Sequence, residues 1–377
     1  MGKLKHNFKK GITLVLSLAM VAGLVLAMSG GANTVQAAAS TGTQPSVTAY
    51  ATKDQLMDDT FKPKDDGTAD NYGKLAFGKN SSGSAQEWYI LGNDDGVSGD
   101  NTIIFAASPI ATVQKFDSSS TNKTDSNLWS ECNYGGASVT EVFANHYGAS
   151  ELRAVLKGMT DGSNTSCFTT AEQGLMNDTT VTTTDKKNRK TYTTTDKLYA
   201  LAADGAGDSY KIIKAGSDNR TVLAIRNYCN SGEGFWMRSP NDSFSYASLY
   251  AWPGHKVNYN DVYTYAAVQP ASNLKLSSVL FASAAKAASS DTAESGTIPS
   301  DKAMTLRLDG TGKDIGTVTY NTTTGNIKAV KGGISQSVEL VVQGNGGTHD
   351  WFYSKTIGTS ETINTSTIKS KVGSDID

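Results

Sequence analysis

The chain has 377 residues and a formal net charge of −2, and only 38% of its residues are hydrophobic. A length of this kind is expected to give about two domains, and abundant Thr, Ser, Gly, Asn and Tyr favour strands and loops over helices. Nucleic-acid binding requires a basic surface, so no nucleic acid is expected among the partners.

Residues 1–39 have the features of a secretion signal. Four lysines precede an apolar segment at residues 12–28, and residues 35–37 and 37–39 are both small-x-small cleavage sites. A retained membrane anchor is the alternative, but the apolar run is short and a cleavage site follows it. Removal of the four lysines takes the net charge from −2 to −6. We expect an extracellular or cell-surface protein whose mature chain has no transmembrane anchor.

Residues 40–70 are polar and lack a periodic pattern, so we expect them to form a lead-in. Regular structure is expected to begin near Lys74, and the apolar runs at 87–91 and 102–106 predict two strands. The Asn, Asp, Gly and Ser residues between these runs are turn formers, which predicts a hairpin.

Two helices are predicted after the hairpin. Residues 150–158 carry apolar residues at helical spacing, with Ser150 as the cap and Gly158 as the residue that ends the helix. Thr169 and Glu172 have the spacing of a capping box, which predicts the start of a second, short helix.

The second half of the chain is predicted to be richer in strands. Residues 178–196 are rich in Thr and Lys and predict an exposed hairpin or loop, and residues 283–301 have the composition of a linker. Residues 302–377 carry short runs of period two, the last at 361–368, separated by Asp-Gly, Thr-Gly and Gly-Gly. This spacing predicts an all-β immunoglobulin-like sandwich.

Residues that could support catalysis are sparse. Outside residues 1–39 the sequence has three histidines, each in a polar, loop-like setting: His146, His255 and His349. No Gly-x-Ser-x-Gly motif precedes a helix, so Ser- or Cys-based hydrolysis is not expected. Three glutamates cannot be paired across a cleft from the sequence alone: Glu151, Glu172 and Glu233. No catalytic residue is therefore predicted.

Metal and disulfide sites are equally unsupported by spacing. The cysteines Cys132, Cys167 and Cys229 are odd in number, which permits at most one disulfide, and no His or Cys pair has zinc-ligand spacing. Residues 93–101 and 204–208 place oxygen atoms in turns that suit calcium, but neither fits the helix–loop–helix calcium pattern. We expect no cofactor, with a structural calcium ion as the alternative.

Residues 241–263 have the most informative composition. Asn, Asp, Ser and Tyr supply 12 of these 23 residues. Antibody binding loops have a similar composition, because Tyr gives amphipathic area at low entropic cost and Asn and Ser give adaptable hydrogen bonds. A solvated surface loop is the alternative, although loops of this length are usually functional or disordered. The candidate ligand contacts are Tyr250, Trp252, His255, Asn258, Tyr259, Asn260, Asp261 and Tyr263.

Two motifs flank this segment: Phe-Trp-Met-Arg-Ser-Pro at 235–240 and Ala-Val-Gln-Pro-Ala at 267–271. Supporting phrases are Phe-Gly-Lys at 77–79, Trp-Tyr-Ile-Leu-Gly at 88–92, Ser-Glu-Leu-Arg at 150–153, Phe-Thr-Thr-Ala-Glu at 168–172 and Asp-Lys-Leu at 196–198. With these motifs, residues 74–282 resemble an uncharacterised domain family of exported proteins from clostridia and related Firmicutes. Gln269 stands where that family usually has Arg, which is expected to weaken an internal ion pair.

The resemblance implies an α+β, C-type-lectin-like domain with long loops at residues 71–282, related to sulfatase-modifying factors. It implies four framework residues: Trp236, Arg238, Pro240 and Pro270. The calcium-dependent lectin signatures are absent, and the paired cysteines of formylglycine-generating enzymes have no counterpart. The implied role is recognition of a glycan or protein.

We therefore expect an exported, non-catalytic protein that binds a glycan or a host or bacterial surface protein through the 241–263 loop. Two alternatives remain open. One is an enzyme similar to sulfatase-modifying factors, and the other is a purely structural cell-wall protein.

Overall fold

Strands dominate the fold and helices are few, with both parallel and antiparallel strand pairs. The computed structural model describes residues 12–19, 50–62, 74–203, 212–217, 220–224, 234–242, 244–252, 256–283, 292–294, 303–309, 313–335, 338–346 and 349–372. The chain divides into two compact units. We call residues 55–277 the central unit, and residues 1–54 together with 278–377 the terminal unit.

The described strands are numbered in chain order. The first twelve are β1 (Ile12–Ala19), β2 (Tyr50–Thr52), β3 (Lys74–Lys79), β4 (Ala85–Ile90), β5 (Asn101–Ala106), β6 (Ala111–Lys115), β7 (Thr179–Asp185), β8 (Lys190–Asp196), β9 (Leu198–Ala200), β10 (Ala202–Ala203), β11 (Ile212–Ala215) and β12 (Arg220–Ala224). The others are β13 (Phe235–Pro240), β14 (Ala247–Trp252), β15 (Lys256–Asp261), β16 (Tyr265–Val268), β17 (Pro270–Lys275), β18 (Val279–Ser283), β19 (Thr292–Glu294), β20 (Ala303–Leu308), β21 (Gly316–Asn321), β22 (Asn326–Lys331), β23 (Val338–Gly346), β24 (His349–Ile357) and β25 (Ser360–Asn364).

The described helices are short. They are α1 (Lys53–Met57), α2 (Glu151–Met159), α3 (Thr170–Leu175) and α4 (Thr365–Val372), with 3-10 turns at Ser126–Trp129 and Tyr147–Ala149. Within the described part of the chain, none has both the length and the apolar character needed to cross a bilayer.

Two sheets enclose the core of the central unit. One has the antiparallel order β3-β4-β5-β17-β9, and the other has the order β15-β14-β13-β16-β6 with β13 and β16 parallel. Phe105 of the first sheet and Phe235 of the second pack with ring centroids 5.9 Å apart. Met237, Val257 and Ala267 join the same buried cluster. The second sheet therefore has a rigid hydrophobic base.

Several local predictions for the central unit are confirmed. β4 and β5 form the predicted antiparallel pair, with Tyr89 opposite Phe105. Ser150 caps α2 by accepting a hydrogen bond from the Arg153 N–H at 3.1 Å, although the helix continues past Gly158 to Met159. α3 begins with the predicted capping box. β7 and β8 form the predicted hairpin, but the expectation that it is exposed is wrong, since Val181 and Tyr192 are buried.

The expected lead-in at residues 40–70 is not without structure. It contains β2 and α1, and Ala51 and Leu56 are both fully buried. Such a short pair of elements offers too few apolar positions for a periodic pattern to emerge from the sequence. The burial of Ala51 and Leu56 depends on tertiary packing, which the local sequence does not reveal.

The terminal unit also has two sheets. One contains β19, β24, β23, β1 and β20, with β18 pairing with both β20 and β2, and the other has the order β21-β22-β25. Ile327 and Ile363 of the second sheet share a buried cluster with Leu340, Val342 and Tyr353 of the first. The apolar segment predicted to be the core of a signal peptide supplies β1, which lies between β23 and β20.

Two predictions for the terminal unit are wrong in part. The expected linker at 283–301 contains β19, which pairs with β24. The expected strand at 361–368 divides into β25 and α4. The reason lies in Asn364, whose side-chain oxygen accepts the Ser366 N–H at 3.0 Å and so caps the start of a helix.

Candidate functional site

Much of the segment 241–263 consists of two paired strands, β14 and β15, so the prediction of a loop is wrong in part. β14 and β15 pair from Ala247 opposite Asp261 to Trp252 opposite Lys256. The polar composition conceals a strand pattern, since Val257 is buried in the core while the next two residues, Asn258 and Tyr259, are exposed. The candidate binding residues are therefore mounted largely on a sheet.

β13 is the buried central strand that supports this hairpin. Trp236 is buried and donates its ring N–H to the Gln114 carbonyl at 3.0 Å. Arg238 is fully buried and donates to the Ala200 carbonyl at 2.7 Å, with its guanidinium 5.9 Å from the centre of the Tyr199 ring. Burial lowers the pKa of Arg238 below its usual range, because a low-dielectric interior disfavours the charged form.

The remaining framework candidates are also buried. Pro240 ends β13, and Pro270 begins β17. Gln269 joins β16 of one sheet to β17 of the other. It is buried, and its side chain donates to the Ala106 carbonyl at 3.1 Å. A neutral amide thus binds a backbone carbonyl where the resemblance led us to expect an arginine.

The corner that leads into β14 is held by side-chain amides. Asn145 donates from its side chain to the Phe244 carbonyl at 3.0 Å and from its backbone to the Ser245 carbonyl at 3.2 Å. Asn241 accepts the Phe244 N–H at 2.9 Å. These bonds hold Phe244 at the surface in a defined position.

Four exposed aromatic residues form what we call the aromatic face: Phe244, Tyr246, Tyr259 and Tyr263. The Phe244 ring centroid lies 5.7 Å from that of Tyr246 and 5.3 Å from that of Tyr259. Tyr263 donates its hydroxyl to Asp261 at 2.6 Å, and this bond raises the pKa of Tyr263. The face therefore combines apolar rings with fixed polar groups.

A second group of exposed residues lies on β16 and β6, which are separated from β14 and β15 by the central strand β13. Tyr265 pairs with Lys115 across β16 and β6, and the Lys115 ammonium lies 4.9 Å from the centre of the Tyr265 ring. Val113, two residues along β6, is also exposed. Seven large hydrophobic residues are exposed in the described part of the chain, and all except Leu128 belong to β6 or residues 244–265.

The structure places the predicted ligand contacts as follows. Tyr259 and Tyr263 belong to the aromatic face, Asn258 is exposed beside it, and Tyr250 and Trp252 lie in β14. Asn260 accepts the Asp261 N–H at 2.9 Å, so its side chain helps to shape the turn. His255 lies outside the described residues.

Sequence reasoning missed three exposed aromatic residues: Phe244, Tyr246 and Tyr265. Phe244 and Tyr246 stand in the same Asn- and Ser-rich segment as the predicted contacts, so their signal was present. Both residues precede β14, and their exposure depends on how that corner is held by contacts such as the hydrogen bond from Asn145, which composition does not contain.

His146 lies outside the helices and strands, in the loop-like and polar setting that was predicted, but it is buried. Its ring stacks on Tyr192 with centroids 4.2 Å apart. Ala149 N–H donates to Nδ1 at 3.1 Å, which places the imidazole proton on Nε2 and lets Nε2 donate to the Tyr134 oxygen at 2.6 Å. Tyr134 then donates to Asp185 at 2.8 Å. Burial lowers the pKa of His146 to about 4, so the ring is neutral.

Two of the cysteines and one of the glutamates considered for catalysis have structural settings in the described residues. Cys132 and Cys167 are free, and burial raises the pKa of Cys132 to about 12, which keeps it protonated. Glu172 accepts the Thr169 and Gly78 N–H groups at 2.8 and 3.0 Å. Cys229 and Glu233 lie outside the described residues.

The first turn considered for calcium has a different use. Asp94 accepts hydrogen bonds from the Gly96 N–H and from the N–H and hydroxyl of Ser217, the last two at 2.7 and 2.6 Å. These bonds hold the turn at residues 93–101 against Ser217. The second turn, 204–208, lies outside the described residues, and no group of three or more His, Cys, Asp or Glu suits a metal among those described.

Comparisons of the chain with protein-family models, with curated proteins and with solved structures find no match. The central unit thus presents an exposed aromatic face at the start of β14 and the end of β15, beside a hydrophobic core. The buried polar side chains around His146 are bonded to one another and face inward.

Proposed function

We propose that the protein is exported and binds a glycan or protein ligand through its aromatic face. The observation that carries this proposal is the concentration of exposed aromatic residues on β15 and in the turns beside β14 and β15. Exposed apolar groups of this kind are costly in a soluble protein unless a partner covers them, so they usually mark a binding site.

The support beneath the face favours tight binding. β13 is buried, and the corner at Phe244 is fixed by Asn145 and Asn241. A face held in position loses little conformational entropy when it binds. Tyrosines with neighbouring Asn and Asp residues then provide both stacking area and hydrogen bonds.

Each unit of this strand-rich chain can be assigned a more specific fold. We infer a C-type-lectin-like fold for the central unit, supported by the resemblance at 235–240 and 267–271 and by the irregular chain between β6 and α2. We infer an immunoglobulin-like sandwich for the terminal unit, supported by a core shared between its two sheets.

Binding is favoured over catalysis by the state of the reactive groups. The Cys132 thiol is protonated, and both nitrogens of His146 are engaged in hydrogen bonds. A nucleophile needs a thiolate or a base within reach, and these groups supply neither.

The proposal is tested with the exported chain on glycan arrays and on arrays of host and bacterial surface proteins. The double variant Tyr259→Ala, Tyr263→Ala should bind at least about tenfold more weakly, because exposed tyrosines at binding sites contribute on the order of 1–2 kcal/mol each. Leu128→Ala is the matched control, since Leu128 is an exposed hydrophobic residue outside the face.

Circular dichroism of the double variant should match that of the unaltered chain, because both tyrosines are exposed. Binding that survives the double change, or that Leu128→Ala weakens equally, would contradict the proposal. The array that responds distinguishes a glycan from a protein ligand.

A further inference from the structure

β23 is a long strand that is paired on both sides within the terminal unit. On one side it pairs with β24 along its whole length, and on the other side it pairs with β1. Val338, Leu340 and Val342 of β23 are buried, and the last two belong to the core of the unit. The position of β1 is therefore part of the wall of that core.

The register of β1 matches this core. Leu14 lies opposite Val342, and Leu16 lies opposite Leu340. Directly opposed positions of an antiparallel pair lie on one face of the sheet, so positions 14 and 16 of β1 are in register with the core positions Val342 and Leu340. At its far end β1 also pairs with β20, where Leu18 lies opposite Leu308.

The same segment lies inside residues 1–39, which we propose are removed on export. Removal would open a groove between β23 and β20. It would turn β23 into an edge strand with unpaired backbone groups and with apolar residues at positions 338 and 340–342, which is a template for pairing with another chain. Residues 40–49, STGTQPSVTA, lack the alternating leucines of β1, so the new N-terminus does not provide a replacement of the same chemistry.

We propose that the groove between β23 and β20 binds an extended apolar segment of a different protein after export. The segment adds to β23 as an antiparallel strand, in the register held here by Ile12–Ala19. Backbone hydrogen bonds supply affinity, and large aliphatic residues at every second position supply specificity. This inference rests on the proposed removal of residues 1–39 and not on the aromatic face.

The test uses the chain exported by a secreting host, with its N-terminus determined by mass spectrometry. A labelled synthetic peptide of residues 12–19, flanked by lysines for solubility, should bind and raise the thermal midpoint by about 5 °C at saturation. A peptide with Leu14→Asp and Leu16→Asp should bind at least roughly a hundredfold more weakly, because charged residues replace apolar ones at the positions opposite the buried Val342 and Leu340.

A disulfide trap tests the register. A Ser17→Cys peptide should cross-link to a Glu339→Cys chain, since these positions are opposite each other, and far less to a Gln343→Cys chain, where the opposite residue is Thr13. The variant Tyr259→Ala, Tyr263→Ala should bind the peptide normally, which separates this inference from the proposed ligand site.

Four results would overturn the proposal. These are an exported chain that keeps residues 12–19, an exported chain that ignores the peptide, equal binding of both peptides, and a self-assembled oligomer whose groove a second copy has closed.

Discussion

At the residue scale, hydrogen bonding and burial together hold His146 in its neutral form. Nδ1 accepts the Ala149 N–H, so a proton on Nδ1 would face another donor. The Nε2 proton is directed to Tyr134 and onward to Asp185, whose two oxygens also accept from Asn188 at 3.1 and 2.7 Å. Protonation of the ring would therefore break the network as well as bury a charge.

The stability of the protein should fall in mild acid because of this residue. Burial lowers the pKa of folded His146 to about 4, against an ordinary value of 6.5, with Asp185 raising it and Lys123 and Arg153 lowering it further. The unfolded state binds the proton first, so the stabilisation is complete above pH 6.5 and is lost as the pH falls toward 4. The loss should be on the order of 1–3 kcal/mol.

Urea unfolding between pH 7.5 and pH 4.5 measures this effect. His146→Gln retains a donor and an acceptor but cannot take up a proton in this range, so its stability should depend less on pH than that of the unaltered chain. Parallel pH profiles for the two proteins would show that other groups cause the acid sensitivity.

At the scale of elements, Gly78 joins β3 to the start of α3. Its φ is +69°, and its N–H donates to Glu172 at 3.0 Å. A Cβ at this position would lie 2.5 Å from the Phe168 ring. Gly83, in the turn between β3 and β4, has a φ of +79° but open space around it.

These two glycines allow backbone strain to be separated from packing. Gly83→Ala should cost about 1–2 kcal/mol, the cost of a left-handed conformation for a residue with a Cβ. Gly78→Ala should cost roughly 2 kcal/mol more, because Phe168 is fully buried and has to move. Chemical unfolding of both variants measures the difference, and equal losses would show that the Phe168 ring yields freely.

At the scale of the whole molecule, export would change the terminal unit, because the proposed signal segment supplies its strand β1. The aromatic face belongs to the central unit, and the proposed groove between β23 and β20 belongs to the terminal unit. Processing would leave the first untouched and open the second.

A single substitution tests the processing. Ala37 is the last residue of one cleavage motif and the first of the other. Ala37→Arg should block both sites, because signal peptidase requires small residues there, and the chain should retain residues 1–39. Ala38→Arg changes only the unrestricted middle position of 37–39 and should be processed. Mass spectrometry determines the N-terminus of each chain. Normal processing of Ala37→Arg would contradict the cleavage prediction.

Local signals predicted local structure well. Ser150, Thr169 and Glu172 cap their helices as expected, because capping depends on residues within one turn of each other. Asn364 shows the opposite case, since a capping residue inside a period-two pattern ended a strand that was expected to continue to Ile368. The aromatic content of 241–263 was predicted, but its arrangement on a hairpin was not.

By itself, the sequence determined the strand-rich character of the chain, its short capped helices and the segment in which exposed aromatic residues concentrate. These properties depend on composition and on neighbours within a few positions. The tertiary structure decided which side of each strand faces solvent, that His146 is neutral and buried, and that Ile12–Ala19 lies against β23. Each of these depends on contacts between residues distant in the chain, for which a single sequence carries no local pattern.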